Sequence, residues 1–413
     1  MTISNKRFCV LPWIHVATDP DGSIKPCCIF KGHVCKPDGT RFNLGTDKLV
    51  DIINSPELVT TRSKMLNGEE IEGCSNCYQH EESGGTSIRQ YSNKEFIQLS
   101  TLYKFREAVI PEKIEYFDLR FGNLCNLNCM SCQPVNSSQL SKEVTDISST
   151  DTRINRYIHI DNLERINDWY NTDTFMLNIK SQINNIRKIY ITGGEPTLIE
   201  KNYEMLSLLI EENRASSISL LINSNITNVK QRFLDTITKF KNVIIVMSVD
   251  GYGPTQEYLR YPSKWSQIDK NIRKLVGLGS NNIELRIAPV IQKVNLSSIT
   301  DLFEYGEQIN RDAKRGVIQI RPIILTSPEQ LNLVYLPIEY KRKCWEKIQA
   351  WIDDNCKYQH NMFYEQIAAL KEMCQLDVPY SDNMSKFIEF TDIFDKHRGR
   401  YLKDLNPELY NQR

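Results

Sequence analysis

Six short apolar runs, each followed by polar or glycine residues, recur through the middle of the chain. They cover residues 114–120, 186–192, 218–223, 243–249, 284–290 and 317–323. Their aliphatic and aromatic composition is typical of buried β-strands, and the stretches between them are long enough for crossover helices. Alternating strand and helix predicts parallel pairing, with functional loops at the carboxyl ends of the strands. The pattern therefore predicts an α/β fold of six β/α units, a partial (β/α)6 barrel.

The segments on either side of this region carry other patterns. An Asp21-Gly22 pair between β-formers predicts a hairpin, and apolar spacing around 49–65 predicts a helix. After about residue 336, apolar residues recur at helical spacing. We therefore predict four regions: a cysteine-rich domain at 1–92, a linker helix at 93–112, the barrel at 113–335 with a helical insertion at about 138–185, and a C-terminal helical region at 336–413.

Charge and composition exclude some classes of protein. The 51 Lys and Arg residues equal the 51 Asp and Glu residues, so no overall basic field favours nucleic-acid binding. No stretch approaches the roughly 20 apolar residues of a membrane span, and the first residues lack the apolar run of a signal peptide. Twelve cysteines without an export signal favour a reducing compartment and metal ligation over disulfides. We expect a cytoplasmic, oxygen-sensitive protein with no membrane partner.

Three cysteines in the spacing C-x3-C-x2-C follow the first predicted barrel strand. They are Cys125, Cys129 and Cys132. A closed zinc or iron–sulfur site normally takes four protein ligands, so three thiolates on one loop can hold a four-iron cluster with one iron open. Spacing alone also allows core cysteines or a zinc knuckle.

Polar residues follow the later strands in the same way. The run Gly193-Gly194-Glu195-Pro196 follows the second strand; glycines let the backbone approach a ligand, and Glu195 can accept hydrogen bonds from an ammonium group. Asn225 and Ser248 close the next two strands, and Arg260 lies twelve residues after Ser248. A guanidinium matches a carboxylate with two parallel hydrogen bonds. An ordinary loop and a surface arginine are the alternatives.

Together these motifs resemble the radical S-adenosylmethionine (SAM) superfamily. The resemblance implies that Cys125, Cys129 and Cys132 hold a 4Fe-4S cluster whose open iron binds the amino and carboxylate groups of SAM. The reduced cluster would cleave SAM to methionine and a 5′-deoxyadenosyl radical, which abstracts hydrogen from substrate. Where the family often carries Thr-Asn-Gly, this chain has Ser224-Asn225-Ile226. The residues that the resemblance places along SAM are Gly193, Gly194, Glu195, Pro196, Asn225, Ser248 and Arg260.

A second cysteine set occupies the N-terminal region. The predicted hairpin would bring Cys9 near Cys27, and a C-x2-C pair supplies Cys74 and Cys77, enough to close a four-coordinate metal site. This arrangement resembles the twitch domain, a shortened SPASM domain, which implies a second, auxiliary 4Fe-4S cluster with every iron ligated. Zinc accepts the same thiolates. Cys28 or Cys35 would be the replacement for one of the four.

The position of this domain departs from the family, because the twitch domain normally follows the barrel and here precedes it. The remaining three cysteines lie on or beside the C-terminal apolar stripes, and we expect buried thiols without metal at Cys344, Cys356 and Cys374.

The sequence thus predicts a radical SAM enzyme that oxidises or cross-links an unidentified peptide, protein or sugar-like alcohol, with an auxiliary cluster in electron transfer. A flavodoxin- or ferredoxin-type reductant is the expected partner. Two alternatives remain: a non-catalytic iron–sulfur or zinc scaffold, and an enzyme that transfers a group from SAM.

Overall fold

The computed structural model describes residues 6–97, 107–110, 113–160 and 163–412. Its strands are β1 (His15–Thr18), β2 (Ile24–Lys25), β3 (Tyr116–Arg120), β4 (Lys188–Thr192), β5 (Ser219–Ser224), β6 (Asn242–Met247), β7 (Ile283–Ile287), β8 (Val290–Ile291), β9 (Ile318–Ile320) and β10 (Ile323–Ile324). The α/β architecture with mostly parallel strands confirms the predicted fold class.

The helices occupy the connections between strands and the C-terminal region. They are α1 (Leu11–Ile14), α2 (Leu49–Ile53), α3 (Pro56–Asn67), α4 (Ser75–Glu82), α5 (Ile88–Ile97), α6 (Ser138–Ser148), α7 (Asp173–Ser181), α8 (Glu200–Glu211), α9 (Gln231–Ile237), α10 (Pro254–Leu259), α11 (Trp265–Val276), α12 (Ile299–Asp312), α13 (Ile338–Asn355), α14 (Asn361–Gln375), α15 (Ser381–Arg398), α16 (Leu402–Leu405) and α17 (Pro407–Tyr410). Within these described ranges, no helix is both long and apolar enough to cross a membrane.

The chain divides into two compact units. The first unit comprises Met1–Asn123, Glu164–Leu221 and Lys239–Lys241, and the second comprises Leu124–Leu163, Ile222–Thr238 and Asn242–Arg413. The predicted linker helix at 93–112 begins inside α5, but residues 98–106 and 111–112 lie outside the described part of the chain.

In the first unit the N-terminal hairpin joins the sheet of the barrel. Strands β1 and β2 pair antiparallel, with Gly22 in the turn at φ +82°, so the predicted hairpin is present. Strand β1 also pairs in parallel with β3, and β3 pairs in parallel with β4. The cysteine-rich segment therefore contributes two strands beside the first barrel strand.

Side chains alternate across β3 and β4 to give two different faces. Phe117, Leu119, Ile189 and Ile191 are buried on the apolar face. The opposite face carries polar and titratable groups, and the register places Asp118 beside Tyr190. Interior positions of a packed barrel are normally bulky and apolar, so this polar face departs from that pattern. We refer to Tyr116, Asp118, Arg120, Lys188, Tyr190 and Thr192 as the polar face.

A buried arginine fixes the helices that carry the N-terminal cysteines. The predicted helix around 49–65 is two helices, α2 and α3, because Ser55 caps a new helix that starts at Pro56. Arg62 on α3 is fully buried and donates to the carbonyl oxygens of Pro12 (2.9 Å) and Ile53 (2.5 Å). These hydrogen bonds connect α1 to the end of α2 and satisfy donors of the buried guanidinium.

In the second unit two predicted strands are shorter than expected. Strand β6 pairs in parallel with β7, and β7 pairs in parallel with β9. The predicted runs 284–290 and 317–323 both break at a proline, Pro289 and Pro322, which has no N–H to donate to the ladder. Beyond each break the chain forms the separate pair β8–β10.

The C-terminal helices bury most of the predicted apolar stripes. Ile348, Phe363 and Leu370 are buried, as are the thiols of Cys344 and Cys374. The expectation of a buried thiol was wrong for Cys356, which is only half-buried. The reason is that α13 ends at Asn355, so the next residue leaves the helical stripe and its sulfur accepts a hydrogen bond from the Tyr364 hydroxyl (3.4 Å).

Candidate functional site

The loop with the three cysteines lies in the second unit and is held by its backbone. The Asn128 N–H donates to the Tyr261 carbonyl (2.6 Å), and the Met130 N–H donates to the Leu259 carbonyl (3.0 Å). Cys129 is buried, whereas Cys125 and Cys132 are partly exposed. The loop is therefore fixed on both sides of its central, most buried cysteine.

The three thiols act on one another. Burial, followed by the neighbouring thiols of Cys129 and Cys125, raises the pKa of Cys132 to about 12. Burial also raises the pKa of Cys129. Grouped thiols in such surroundings resist ionisation alone, but a bound metal deprotonates a coordinating thiol outright. This donor set fits a thiolate-ligated iron–sulfur cluster.

Two of the predicted SAM residues contact this loop. The Asn225 side-chain amide donates to Asn126 Oδ1 (2.9 Å) and lies 4.0 Å from Cys125 Sγ. Arg260 Nη1 lies 3.7 Å from Cys129 Sγ. Ser248 is partly exposed, and its N–H donates to the Ser224 carbonyl (2.8 Å).

Arg260 already has a carboxylate partner, Asp250. Its Nε donates to Oδ2 (2.7 Å) and its Nη2 to Oδ1 (3.2 Å), with both side chains largely buried. Asp250 is fixed in turn by the Val290 N–H (2.9 Å), and its carbonyl accepts from Asn295 (2.7 Å). Sequence reasoning assigned no role to Asp250, although its motif was visible. A two-bond contact between Arg260 and another carboxylate would have to break this ion pair.

At the position after Asn225, where the family often has glycine, the backbone adopts a conformation typical of glycine. Ile226 has φ +60°, in the left-handed region that glycine adopts without strain and that β-branched residues rarely enter. Its side chain is fully buried, and its carbonyl accepts a hydrogen bond from Asn271 (2.7 Å). Burial and this hydrogen bond hold a conformation that costs about 1–3 kcal/mol.

The run Gly193-Gly194-Glu195-Pro196 follows β4 in the first unit. Gly193 has φ +119°, and a Cβ there would lie 3.3 Å from the Gly122 carbonyl oxygen, so the position requires glycine. Glu195 is fully buried, and its Oε1 accepts hydrogen bonds from the Thr197 N–H (3.1 Å) and hydroxyl (2.6 Å). Glu195 thus caps the short turn that begins at Pro196.

The four N-terminal cysteines also act on one another within the first unit. Burial raises the pKa of Cys27 to about 12, and the thiols of Cys74 and Cys77 add to that shift. Burial raises the pKa of Cys74 to about 11, and the Cys77 thiol adds to that shift. Burial raises the pKa of Cys9 well above its usual value, and the other three thiols contribute to that shift. The thiols therefore lie close enough together to repel as thiolates. Across the described residues, no group of three or more His, Cys, Asp or Glu is spaced to hold a single metal ion.

Cys28 and Cys35 face other partners. Burial raises the pKa of Cys28 to about 12, and Asp118 on β3 is the next-largest cause. The Cys35 N–H donates to Glu57 Oε2 (2.5 Å), and Glu57 also raises the pKa of the Cys35 thiol. These contacts favour Cys9, Cys27, Cys74 and Cys77 as the ligand set.

Within the first unit, the N-terminal cysteines and Glu195 lie at opposite ends of the strands. His15 begins β1, is level with Tyr116, and hydrogen-bonds through Nδ1 to the Pro26 carbonyl (2.9 Å), next to Cys27. Glu195 follows the far end of β4. A strand of this length spans about 15 Å.

Two family models match the chain. Residues 119–306 match the radical SAM superfamily, and residues 9–78 match an iron–sulfur cluster-binding domain of the SPASM type. The chain carries a radical SAM domain. The SPASM domain precedes it, which confirms the predicted order.

Solved structures and curated proteins were also compared with the chain. Streptococcus suis SuiB is 15% identical, covering 79% of this chain and 67% of its own, with a TM-score of 0.38. A structure of anSMEcpe with bound AdoMet is 13% identical, covering 56% of this chain and 58% of its own, with a TM-score of 0.34. This chain thus spans less than two thirds of the length of anSMEcpe. The search of curated proteins found no match.

The two domain matches carry the assignment of cofactors. A radical SAM domain implies a 4Fe-4S cluster and SAM, and the SPASM domain supports an auxiliary iron–sulfur cluster. Cys125, Cys129 and Cys132 fall inside the first match. All four N-terminal candidates, and also Cys28 and Cys35, fall inside the second.

Asp118 is a candidate that sequence reasoning missed. Its side chain is 1% exposed, and within the described residues neither carboxylate oxygen accepts a hydrogen bond of good geometry, although the Cys28 thiol and the Arg120 guanidinium lie close enough to lower its pKa. Burial raises the pKa of Asp118 to about 6, against the lowering effects of Arg120 and Cys28. The signal was an acidic residue at the centre of an apolar strand. An unsatisfied buried carboxylate costs stability, which suggests a functional reason for its presence.

Proposed function

We propose that the protein is a radical SAM enzyme that cleaves SAM reductively and abstracts hydrogen from a substrate, which it then oxidises or cross-links. The observation that carries this proposal is the loop that brings three thiols together, with Asn225 beside the sulfur of Cys125 and Arg260 beside that of Cys129. When bound there, the cluster supplies the electron that breaks a carbon–sulfur bond of SAM.

The remaining predicted residues have proposed roles in holding SAM. Gly193 and Gly194 would let the backbone approach the methionine part, Pro196 fixes the following turn, and Glu195 would accept a hydrogen bond from the amino group. Ser248 would contact the ribose or carboxylate. Arg260 would support this site through its contacts with Asp250 and Cys129, because its guanidinium is already hydrogen-bonded to the Asp250 carboxylate.

We assign the auxiliary 4Fe-4S cluster to Cys9, Cys27, Cys74 and Cys77. Its role would be to accept an electron from the substrate radical, which suits oxidation or cross-linking. Substrate candidates are a peptide or protein side chain or a sugar-like alcohol, and a flavodoxin- or ferredoxin-type protein would supply electrons from the cytoplasm.

Asp118 gives this oxidation a proton acceptor. Converting an alcohol or amine to a double bond removes a hydrogen atom from carbon, one further electron, and one proton from the neighbouring oxygen or nitrogen. Asp118 is buried on the polar face, and its pKa is raised to about 6. It is therefore mainly ionised at neutral pH and able to take that proton.

Anaerobic reconstitution with iron and sulfide tests the proposal directly. We expect about eight irons per chain and formation of 5′-deoxyadenosine when dithionite and SAM are added. About four irons with SAM cleavage would make the N-terminal site a zinc or empty module. S-adenosylhomocysteine as the product would instead indicate methyl transfer, and a fully loaded protein that leaves SAM intact would favour a scaffold.

The substitution Asp118→Asn separates a catalytic carboxylate from a structural one. At pH 7 we expect the variant to be more stable than the wild type by about 2–3 kcal/mol, because the folded protein no longer holds a charge whose burial outweighs the attraction of Arg120. SAM cleavage should persist, and oxidised product should be lost.

The stability difference between these two proteins should also depend on pH. Because the folded pKa of Asp118, about 6, lies above its usual value, the penalty is full above pH 6. As the pH falls, the folded carboxyl is protonated first, so the penalty shrinks and is gone by about pH 4. Denaturant unfolding at several pH values measures this; a variant less stable than wild type at pH 7 would contradict the account.

A further inference from the structure

The last residue of α15, Arg398, contacts the loop that carries the catalytic cysteines. Its Nη2 donates to the Asn128 carbonyl (2.7 Å), in the residue just before Cys129. Its Nε and Nη2 also donate to the two oxygens of Glu143 on α6, at 2.8 Å and 2.6 Å. Both charged side chains are only 4% exposed. A buried pair of this geometry is fixed in one arrangement.

The Asn128 residue is therefore held at both of its backbone groups. Its N–H donates to the Tyr261 carbonyl (2.6 Å), and its C=O accepts from Arg398. The Arg398 guanidinium lies 4.4 Å from the centre of the Phe394 ring and 5.0 Å from that of Tyr261. These contacts leave the guanidinium little freedom, so the carbonyl it binds has little freedom either.

Cys129 is influenced by two guanidinium groups from different elements. Arg260 Nη1 lies 3.7 Å from its sulfur, and Arg398 is anchored one residue away. Arg398 thus places a second buried guanidinium, paired with Glu143, against the backbone of the residue before Cys129. Positive charge and hydrogen bonds near cluster sulfurs favour the reduced cluster.

We propose that Arg398 is a positioning residue for the catalytic cluster: it fixes the loop between Cys125 and Cys129 and makes the cluster easier to reduce. The proposal rests on the proposed function, since it takes the three loop cysteines as ligands. It assigns a role to the C-terminal helical region, which the sequence left without one.

A redox titration monitored by electron paramagnetic resonance tests this on the full reconstituted protein. The catalytic cluster is recognised as the signal that changes when SAM is added. Arg398→Gln alone would leave Glu143 buried and unpaired, which destabilises folding. The decisive variant is therefore the neutral pair Glu143→Gln with Arg398→Gln, which keeps hydrogen-bonding groups of similar size without charge.

Two further variants separate charge from general structure. Arg398→Lys keeps the positive charge but loses the planar guanidinium that hydrogen-bonds to both Glu143 and Asn128. Arg400→Gln is the matched control, because Arg400 lies over the same Tyr261 ring (5.2 Å) but donates to the Glu257 carbonyl (2.8 Å). Iron content and circular dichroism establish that each protein is folded and loaded.

We expect the neutral pair to make reduction about tenfold less favourable, a shift of about 59 mV to lower potential for one electron. Arg398→Lys should recover at least half of that shift, and Arg400→Gln should match the wild type. A folded, loaded neutral pair with the wild-type potential would overturn the inference while leaving the enzyme assignment intact. If the wild type has no SAM-sensitive signal, the proposed function fails together with the inference.

Discussion

Replacing Cys129 by alanine is expected to abolish SAM cleavage without unfolding the protein. Cys129 is the buried, central member of the loop, and two remaining thiols cannot hold a four-iron cluster. The rate of 5′-deoxyadenosine formation should fall by on the order of 10³-fold or more, since losing outer-shell partners alone costs about 10–100-fold. The iron content should fall from about eight to about four per chain.

The fold should survive because the substitution leaves no buried charged side chain without a partner. Arg260 loses its sulfur contact but keeps both hydrogen bonds to Asp250. Cys344→Ala is a suitable control, since it removes a buried thiol of the same unit that lies on the C-terminal stripe. It should retain full SAM cleavage and iron content. Undiminished 5′-deoxyadenosine production by Cys129→Ala would refute the assignment of the loop.

The fold and the cysteine loop were predictable because their signals are local. Strand periodicity needs only a few neighbouring residues, and a C-x3-C-x2-C loop places its own thiols together. The limits of β7 and β9 were missed for an equally local reason, because Pro289 and Pro322 were included in runs that their missing N–H groups interrupt.

Other features depend on contacts between distant positions. Arg398 contacts Asn128 in the cysteine loop from a helix 270 residues later in the chain. No periodicity or spacing carries that information. The Arg260–Asp250 pair is a second example, because the sequence singled out only Arg260 and the geometry alone shows that its guanidinium is already bound.

Ile226 illustrates a third limit. The family pattern expects glycine there, and its replacement by isoleucine made the segment difficult to interpret from sequence. The backbone nevertheless adopts the left-handed conformation at this position, at φ +60°. Isoleucine thus stands where the family has glycine, yet the backbone keeps the conformation that glycine prefers. Only the dihedral angle reveals this.

Replacing Cys77 by alanine should remove the auxiliary cluster and leave SAM cleavage unchanged. The thiols of Cys27, Cys74 and Cys77 all contribute to the raised pKa of Cys9, and under our proposal the four share one site, so loss of one ligand should release about four irons. They lie near the amino ends of the strands, whereas the glycine-rich turn proposed to contact SAM follows the carboxyl end of β4, and a strand of this length spans about 15 Å. SAM cleavage should therefore continue while the oxidised product disappears.

Cys35→Ala is the matched control for this variant, because Cys35 belongs to the same domain but contacts Glu57 instead of the cysteine group. It should keep about eight irons and normal product formation. Metal analysis of the purified Cys77 variant also tests zinc, since loss of one zinc with no change in iron would replace the auxiliary cluster by a structural metal site. If Cys77→Ala kept all of its iron and Cys28→Ala lost about four, the ligand set would have to exchange these two residues, and the thiol beside Asp118 would belong to the metal site.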